Sequence, residues 1–243
     1  MRRSSRTRSS GLASSILNSW NGSSSDRRTS RWISAVKLSR LYPILDAGFL
    51  EARALDLRLA AEQMRIAGVS LIQYRDKTGS SQTILRNAAV IREAFAGADC
   101  KLILNDRADL AVLAAWDGVH IGQGDLAPED ARRVVGAGRW VGVSTHTDEQ
   151  VRLAELRSTD YVAVGPVFAT GTKADAEPVI GLDGVRRARA LTRKPIVAIG
   201  GITRENARGV IEAGADSVAL ISALFAEDEP AGKVARDFLD LLG

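Results

Sequence analysis

Residues 101–125 read KLILNDRADLAVLAAWDGVHIGQGD. Two short apolar runs, 101–104 and 118–121, flank a helix-length segment rich in alanine and leucine. Each run gives way to polar residues, Asn105 and Asp106 after the first and Gln123, Gly124 and Asp125 after the second. Read as strand–helix–strand, the stretch is a right-handed crossover whose two strands are parallel neighbours. Both aspartates then leave the sheet at the same end. Two carboxylates there can share a hard cation such as Mg2+, which takes oxygen ligands and keeps its other positions for water and substrate phosphate. The plainer alternative is that Asp106 caps a helix starting at Arg107 and Asp125 only shapes a loop.

The same rhythm extends in both directions. Upstream, an apolar run at 41–45 ends in Asp46. Leu57, Ala60, Ala61 and Met64 recur at i, i+3, i+4 and i+7, the spacing of an amphipathic helix, and Gly68 is placed to end it. A second strand at 71–74 and a helix marked by Ile84, Ala88 and Ile91 follow. Downstream, strands are expected at 140–143, 161–164, 195–199 and 217–221. Thr147 and Gln150 have capping-box spacing, and helices are expected over 182–191, 203–213 and 231–242. Strand–helix pairs at a spacing of roughly 20–30 residues, eight in all, predict a (β/α)8 TIM barrel over residues 39–243, near the lower size limit of that fold. A doubly wound sheet commonly has fewer strands, and no G-x-G-x-x-G follows the first strand here.

The 243 residues carry a net charge of +4, and the sequence pI is about 9.5. That basicity is confined to one end. Residues 1–40 hold nine basic residues and one acid, a net +8, so the remainder carries −4. A mildly acidic body has lost the main argument for nucleic-acid binding. Residues 1–38 form an Arg- and Ser-rich, acid-poor extension expected to be disordered. A transit peptide, a flexible tail and a translated stretch upstream of the true start all fit it. The expected location is cytoplasmic, or an organelle stroma or matrix in the first case. Deleting the extension is expected to leave turnover unchanged. Cys100 is the only cysteine, which excludes a disulfide framework, and no apolar run approaches the ~18–20 residues that span a membrane.

In a barrel, the strand ends converge on one site. The second strand delivers Gln73, Tyr74, Arg75, Asp76 and Lys77, and alternation points Gln73, Arg75 and Lys77 to one side. An arginine fork and a lysine beside two aspartates suit a multiply charged anion. An Arg75–Asp106 ion pair in a solvated loop is the structural alternative. Ser144, Thr145 and His146 follow the fifth strand, but adjacency in sequence does not make a Ser–His nucleophile. Residues 165–173 read GPVFATGTK and open a long loop to Ile180, whose hydroxyls, glycine and lysine suit phosphate contact and lid closure. Gly200 and Gly201 end the seventh strand before a helix at Thr203, and Ile221 and Ser222 end the eighth. Barrels often hold phosphate there, on backbone N–H groups near a helix N-terminus.

In combination, QYRDK, ILND, GVHIGQGD, GVSTHT, GPVFATGTK, AIGGI and LIS occur in an order and spacing that resemble the thiamine-phosphate synthase family, over residues 41–224. That family joins a pyrimidine diphosphate to a thiazole phosphate. The resemblance implies that Gln73, Tyr74, Arg75, Asp76, Lys77, Asn105, Ser144 and Lys173 hold the pyrimidine diphosphate, with Arg75, Lys77, Ser144 and Lys173 catalytic. It implies one Mg2+ on Asp106 and Asp125, and a thiazole phosphate on Thr170, Gly171, Thr172, Gly201, Ile221 and Ser222. Tyr74 and Asp76 depart from the leucine and glutamate common at those positions, and Leu45 from threonine. Asp76 is one methylene shorter, which puts its contacts in doubt. The implied partners are two small phosphorylated substrates, neither nucleic acid nor membrane, and a homo-oligomer is left open. Two rivals remain. One is a thiazole tautomerase of the same fold acting through His146. The other is a barrel that binds phosphoesters without turnover.

Overall fold

A computed structural model describes residue 1, residues 36–171 and residues 177–243. Most of the basic extension, together with Thr172 and Lys173, lies outside the described residues. Eight parallel strands close into a barrel in chain order. They are β1 Leu41–Asp46, β2 Leu71–Arg75, β3 Lys101–Asn105, β4 Gly118–Ile121, β5 Trp140–Thr145, β6 Tyr161–Val164, β7 Ile196–Ile199 and β8 Ser217–Leu220, and β8 pairs back onto β1. The helices around them are α1 Ala47–Ala52, α2 Leu57–Ile66, α3 Ser81–Ala94, α4 Ala108–Leu113, α5 Pro128–Val135, α6 Asp148–Leu156, α7 Gly181–Leu191, α8 Ala207–Glu212 and α9 Ala231–Leu242.

Period-2 alternation sorts the strand side chains into two apolar layers. Tyr42, Ile44, Leu71, Ile103, Tyr161 and Val197 pack inside the bore. Leu41, Leu45, Ile72, Tyr74, Leu104 and Val162 point outward, against helix stripes such as Ala60, Ala61 and Met64 of α2. Helix α2 is capped by Asp56, which accepts from the Leu59 N–H at 2.7 Å, and the chain leaves it through Gly68 at φ +85°. Among the described residues, no helix is long and apolar enough to cross a membrane.

Several boundaries differ from the sequence expectation, each for a visible reason. Helix α1 was not expected; Asp46 starts it by accepting from the Phe49 N–H at 2.9 Å. Strand β5 runs on through Ser144 and Thr145, where the Thr145 hydroxyl donates to the Ala163 carbonyl at 2.9 Å. Helix α8 begins at Ala207 and not at Thr203, because Asn206 holds a turn: its Oδ1 accepts from the Thr203 N–H at 2.8 Å and its amide donates to Gly201 O at 3.1 Å. Thr147 caps α6 as its spacing predicts, but Gln150 reaches back to the His146 N–H at 2.7 Å, one residue before the cap.

Cys100 sits immediately before β3, where burial, and then the charges of Asp117 and Asp99, push its thiol up to about 12. The thiolate is the reactive form, so alkylation by iodoacetamide at pH 8 is expected to be far slower than for a free thiol and to climb steadily toward pH 11. A plateau near pH 9 in the alkylation profile would contradict this.

Candidate active site

The mouth of the barrel is built from the β1 and β2 ends outward. Asp46 and Arg75 are register partners on neighbouring strands, and their side chains form an ion pair. The pairing is therefore Arg75 with Asp46, not the Arg75–Asp106 alternative. Gln73, two residues earlier on β2, points into the bore and donates to the Tyr42 hydroxyl at 3.0 Å. Tyr74 faces away, fully buried against α3, where Asn87 donates to its hydroxyl at 2.7 Å and that hydroxyl donates to Asp76 at 3.0 Å. Asp76 also accepts from the N–H groups of Thr78, at 3.1 Å, and Gly79, at 2.7 Å. Its shorter carboxylate is thus fully used, and Tyr74 and Asp76 brace the turn that presents Arg75 and Lys77; neither lines the cavities described below.

Asp106 follows β3 at φ +62°, a left-handed conformation that aspartate tolerates better than most residues and that strand alternation does not foresee. Its N–H donates to His120 O at 2.7 Å, which ties the turn to β4. Asp106 does not cap α4: the cap position is Arg107, with no side-chain bond. Instead its carboxyl group meets that of Asp125 and pairs with Lys77. Burial, followed by the proximity of Asp125, raises the Asp106 pKa, although Lys77 pulls the other way. Burial also opposes ionisation of Asp125, but hydrogen bonds from Asp106 and the Gly122 N–H, with the charge of Lys77, hold it below the usual range. Two close carboxyl groups of this kind titrate as a pair, and a cation between them favours the charged form of both. Among the described residues no group of three or more His, Cys, Asp and Glu stands ready for a metal. A two-carboxylate donor set suits Mg2+, which fills its octahedron with water and phosphate oxygens, and does not suit a metal that needs a full protein cage.

Two adjoining cavities open at the mouth of the barrel. The smaller, about 40 Å3, is lined by Gln73, Arg75, Asn105, His120 and Ser144, among others. The Asn105 amide nitrogen is buried there and makes no hydrogen bond among the described residues, so it can donate to an occupant. Ser144 bonds His120 Nε2 at 2.9 Å, and His120 Nδ1 meets the Tyr161 hydroxyl at 3.1 Å. The histidine that reaches Ser144 is therefore His120 from the neighbouring strand, not His146. His146 Nδ1 donates to Gly165 O at 2.7 Å. The larger cavity, about 960 Å3, is lined by Thr170, Gly171, Gly201, Ile221 and Ser222, together with Gly48, Phe49 and Asp46.

Gly201 (φ +63°) is needed for the approach of protein and not only of ligand. A Cβ there would lie 2.4 Å from Ala169 O and 2.8 Å from Phe168 Cβ, so the loop after β6 crosses directly over it. Replacing it with alanine is expected to push that loop outward and raise the KM for a phosphorylated occupant of the large cavity by about tenfold. The turn at 201–203 and the start of the 3-10 turn Ser222–Leu224 line this cavity, whereas α8 begins only at Ala207.

The family model described as thiamine monophosphate synthase matches residues 41–224. The chain belongs to the thiamine monophosphate synthase family. It is 49% identical over 211 residues to a thiamine-phosphate synthase of Koribacter versatilis, covering 86% of this chain and 98% of that one. It is 42% identical to a thiamine-phosphate synthase of Chloroflexus aurantiacus, covering 78% and 87%. A solved thiamine phosphate pyrophosphorylase from Pyrococcus furiosus superposes with a TM-score of 0.73 at 29% identity, over 84% of this chain and 95% of that one. This is a family of transferases, and the chain is an enzyme of it.

Some contacts within this thiamine monophosphate synthase barrel escape sequence reading. Asp46 was visible only as the polar end of a strand, and Tyr42 and Tyr161 only as strand residues. Their hydroxyls meet at 3.0 Å across the bore, a contact between residues 119 apart that no local pattern announces.

Proposed function

We propose that the chain condenses 4-amino-2-methyl-5-(diphosphooxymethyl)pyrimidine with 4-methyl-5-(2-phosphooxyethyl)thiazole, giving thiamine phosphate and diphosphate. The observation that carries this reading is the meeting of the Asp106 and Asp125 carboxyl groups, with Lys77 paired to Asp106. Asp106 and Asp125 would hold one Mg2+, which supplies positive charge to the departing diphosphate. Arg75 and Lys77 donate to the same leaving group, and Lys173 is assigned there with them. As the bond from the pyrimidine methylene to oxygen breaks, negative charge grows on the diphosphate, so fixed cations favour the transition state over the ground state. The thiazole nitrogen then attacks the pyrimidine-methyl cation. Gln73, Asn105 and Ser144 orient the pyrimidine. Thr170, Gly171, Thr172, Gly201, Ile221 and Ser222 hold the thiazole phosphate, and the loop after β6 keeps water from the cation. No protein nucleophile is required.

The test mixes the purified chain with both precursors and follows thiamine phosphate and diphosphate. The expected result is Mg2+-dependent formation of both in equal amounts, abolished by EDTA. Lys173→Ala is expected to lower turnover about a hundredfold, the usual cost of one fixed donor at a developing charge. A tautomerase would release no diphosphate, and a binding barrel would retain thiamine phosphate without forming it. A normal rate in the Lys173 variant would remove that residue from the site.

A further inference from the structure

Asp46 has a separate task for each of its carboxylate oxygens. Its Oδ2 accepts from Arg75, which lines the small cavity. Its Oδ1 accepts from the Phe49 N–H at 2.9 Å and so starts α1. That helix brings Gly48 and Phe49 to the large cavity, where Phe49 also rests on Phe225, with ring centroids 5.7 Å apart. The Asp46–Arg75 pair is mostly buried, with side-chain exposures of 10% and 22%. We propose that Asp46 is the positioning residue that sets both substrate subsites at once, aiming the Arg75 guanidinium at the diphosphate and fixing α1 against the thiazole phosphate cavity. The proposal rests on the reading of Arg75 as a diphosphate ligand.

Two effects of removing the Asp46 charge oppose each other. Loss of a negative group beside Arg75 raises the local positive potential and by itself tightens an anion. Loss of the partner frees a long side chain to turn toward solvent and ruins its fork geometry. Because the pair is held in register at two adjacent strand ends and mostly buried, the second effect wins.

Calorimetric titration of the full chain with inorganic diphosphate and Mg2+ decides the matter. Asp46→Asn keeps an oxygen for the Phe49 N–H but takes the charge from Arg75. It is expected to weaken diphosphate binding about tenfold, the scale at which loss of an orienting partner is felt, and to leave the KM for the thiazole phosphate within about twofold. Asp46→Ala removes both bonds and is expected to raise that KM as well. In an Arg75→Met background, Asp46→Asn is expected to add nothing further, since the two residues act as one unit. Asp46→Glu keeps the charge but displaces it by a methylene, and weakens diphosphate binding about threefold if position matters. It carries the test should Asp46→Asn fail to fold. Binding as tight as wild type, or tighter, in Asp46→Asn or Asp46→Glu would overturn the proposal. A wild-type chain that binds no diphosphate would instead overturn the reading of Arg75, and the proposal with it.

Discussion

Asp106→Asn is expected to lower turnover by about 10²–10³-fold while shifting Tm by no more than about 3 °C. The two halves of this prediction have separate causes. The substitution removes one of the two carboxylates assigned to the metal, so the leaving diphosphate loses charge stabilisation. Stability should hardly suffer, because burial raises the Asp106 pKa. A carboxyl group whose pKa is raised on folding is favoured neutral in the folded state, so its ionised form costs stability above that pKa. A neutral amide of the same shape relieves that cost, offset in part by the loss of the ion pair with Lys77, whose own side chain is half exposed. Steady-state kinetics and thermal unfolding of the same preparation check both halves. A variant that loses activity only because it unfolds would show Asp106 to be structural.

Gly142→Ala is expected to be the most damaging single methyl group in the barrel. A Cβ at this position would lie 2.0 Å from Tyr161 Cζ and 2.4 Å from its hydroxyl, within the ring itself. Tyr161 is fully buried and cannot swing out without leaving the bore. Overpacking costs about 1–3 kcal/mol, and displacing the ring also breaks the hydroxyl contacts with Tyr42 at 3.0 Å and His120 at 3.1 Å. Buried polar atoms left unpaired add about 1–3 kcal/mol, for a total loss near 4 kcal/mol by denaturant unfolding. His120 also holds Ser144, so residual folded protein should bind the pyrimidine diphosphate more weakly. A loss below about 1 kcal/mol would mean that the bore has slack, against the density expected of protein interiors.

The barrel was legible because strand alternation and helix stripes are local signals. Gly118–Ile121, Tyr161–Val164 and Ala231–Leu242 begin and end where the patterns place them. Boundaries failed where a single side chain intervenes, as Asn206 does before α8 and Asp46 does before α1. At the site, sequence spacing drew attention to Asp106 and Asp125, yet their meeting depends on a left-handed φ at Asp106 that alternation does not predict. Gln73 and Tyr74 fall on opposite faces as alternation requires, which leaves Tyr74 as a brace behind Arg75. The pairings of Arg75 with Asp46 and of Ser144 with His120 are lateral contacts across strand register. They become visible only when the barrel is closed.

The proposed function stands or falls on whether Asp106 and Asp125 would hold a divalent ion that serves the diphosphate. Crystals of the full chain grown with Mn2+ in place of Mg2+, inorganic diphosphate and thiamine phosphate test it through anomalous scattering. The account predicts one strong peak between the two carboxylates, with diphosphate oxygens completing its coordination. A bound diphosphate with no peak there, or a peak held by other residues, would contradict it.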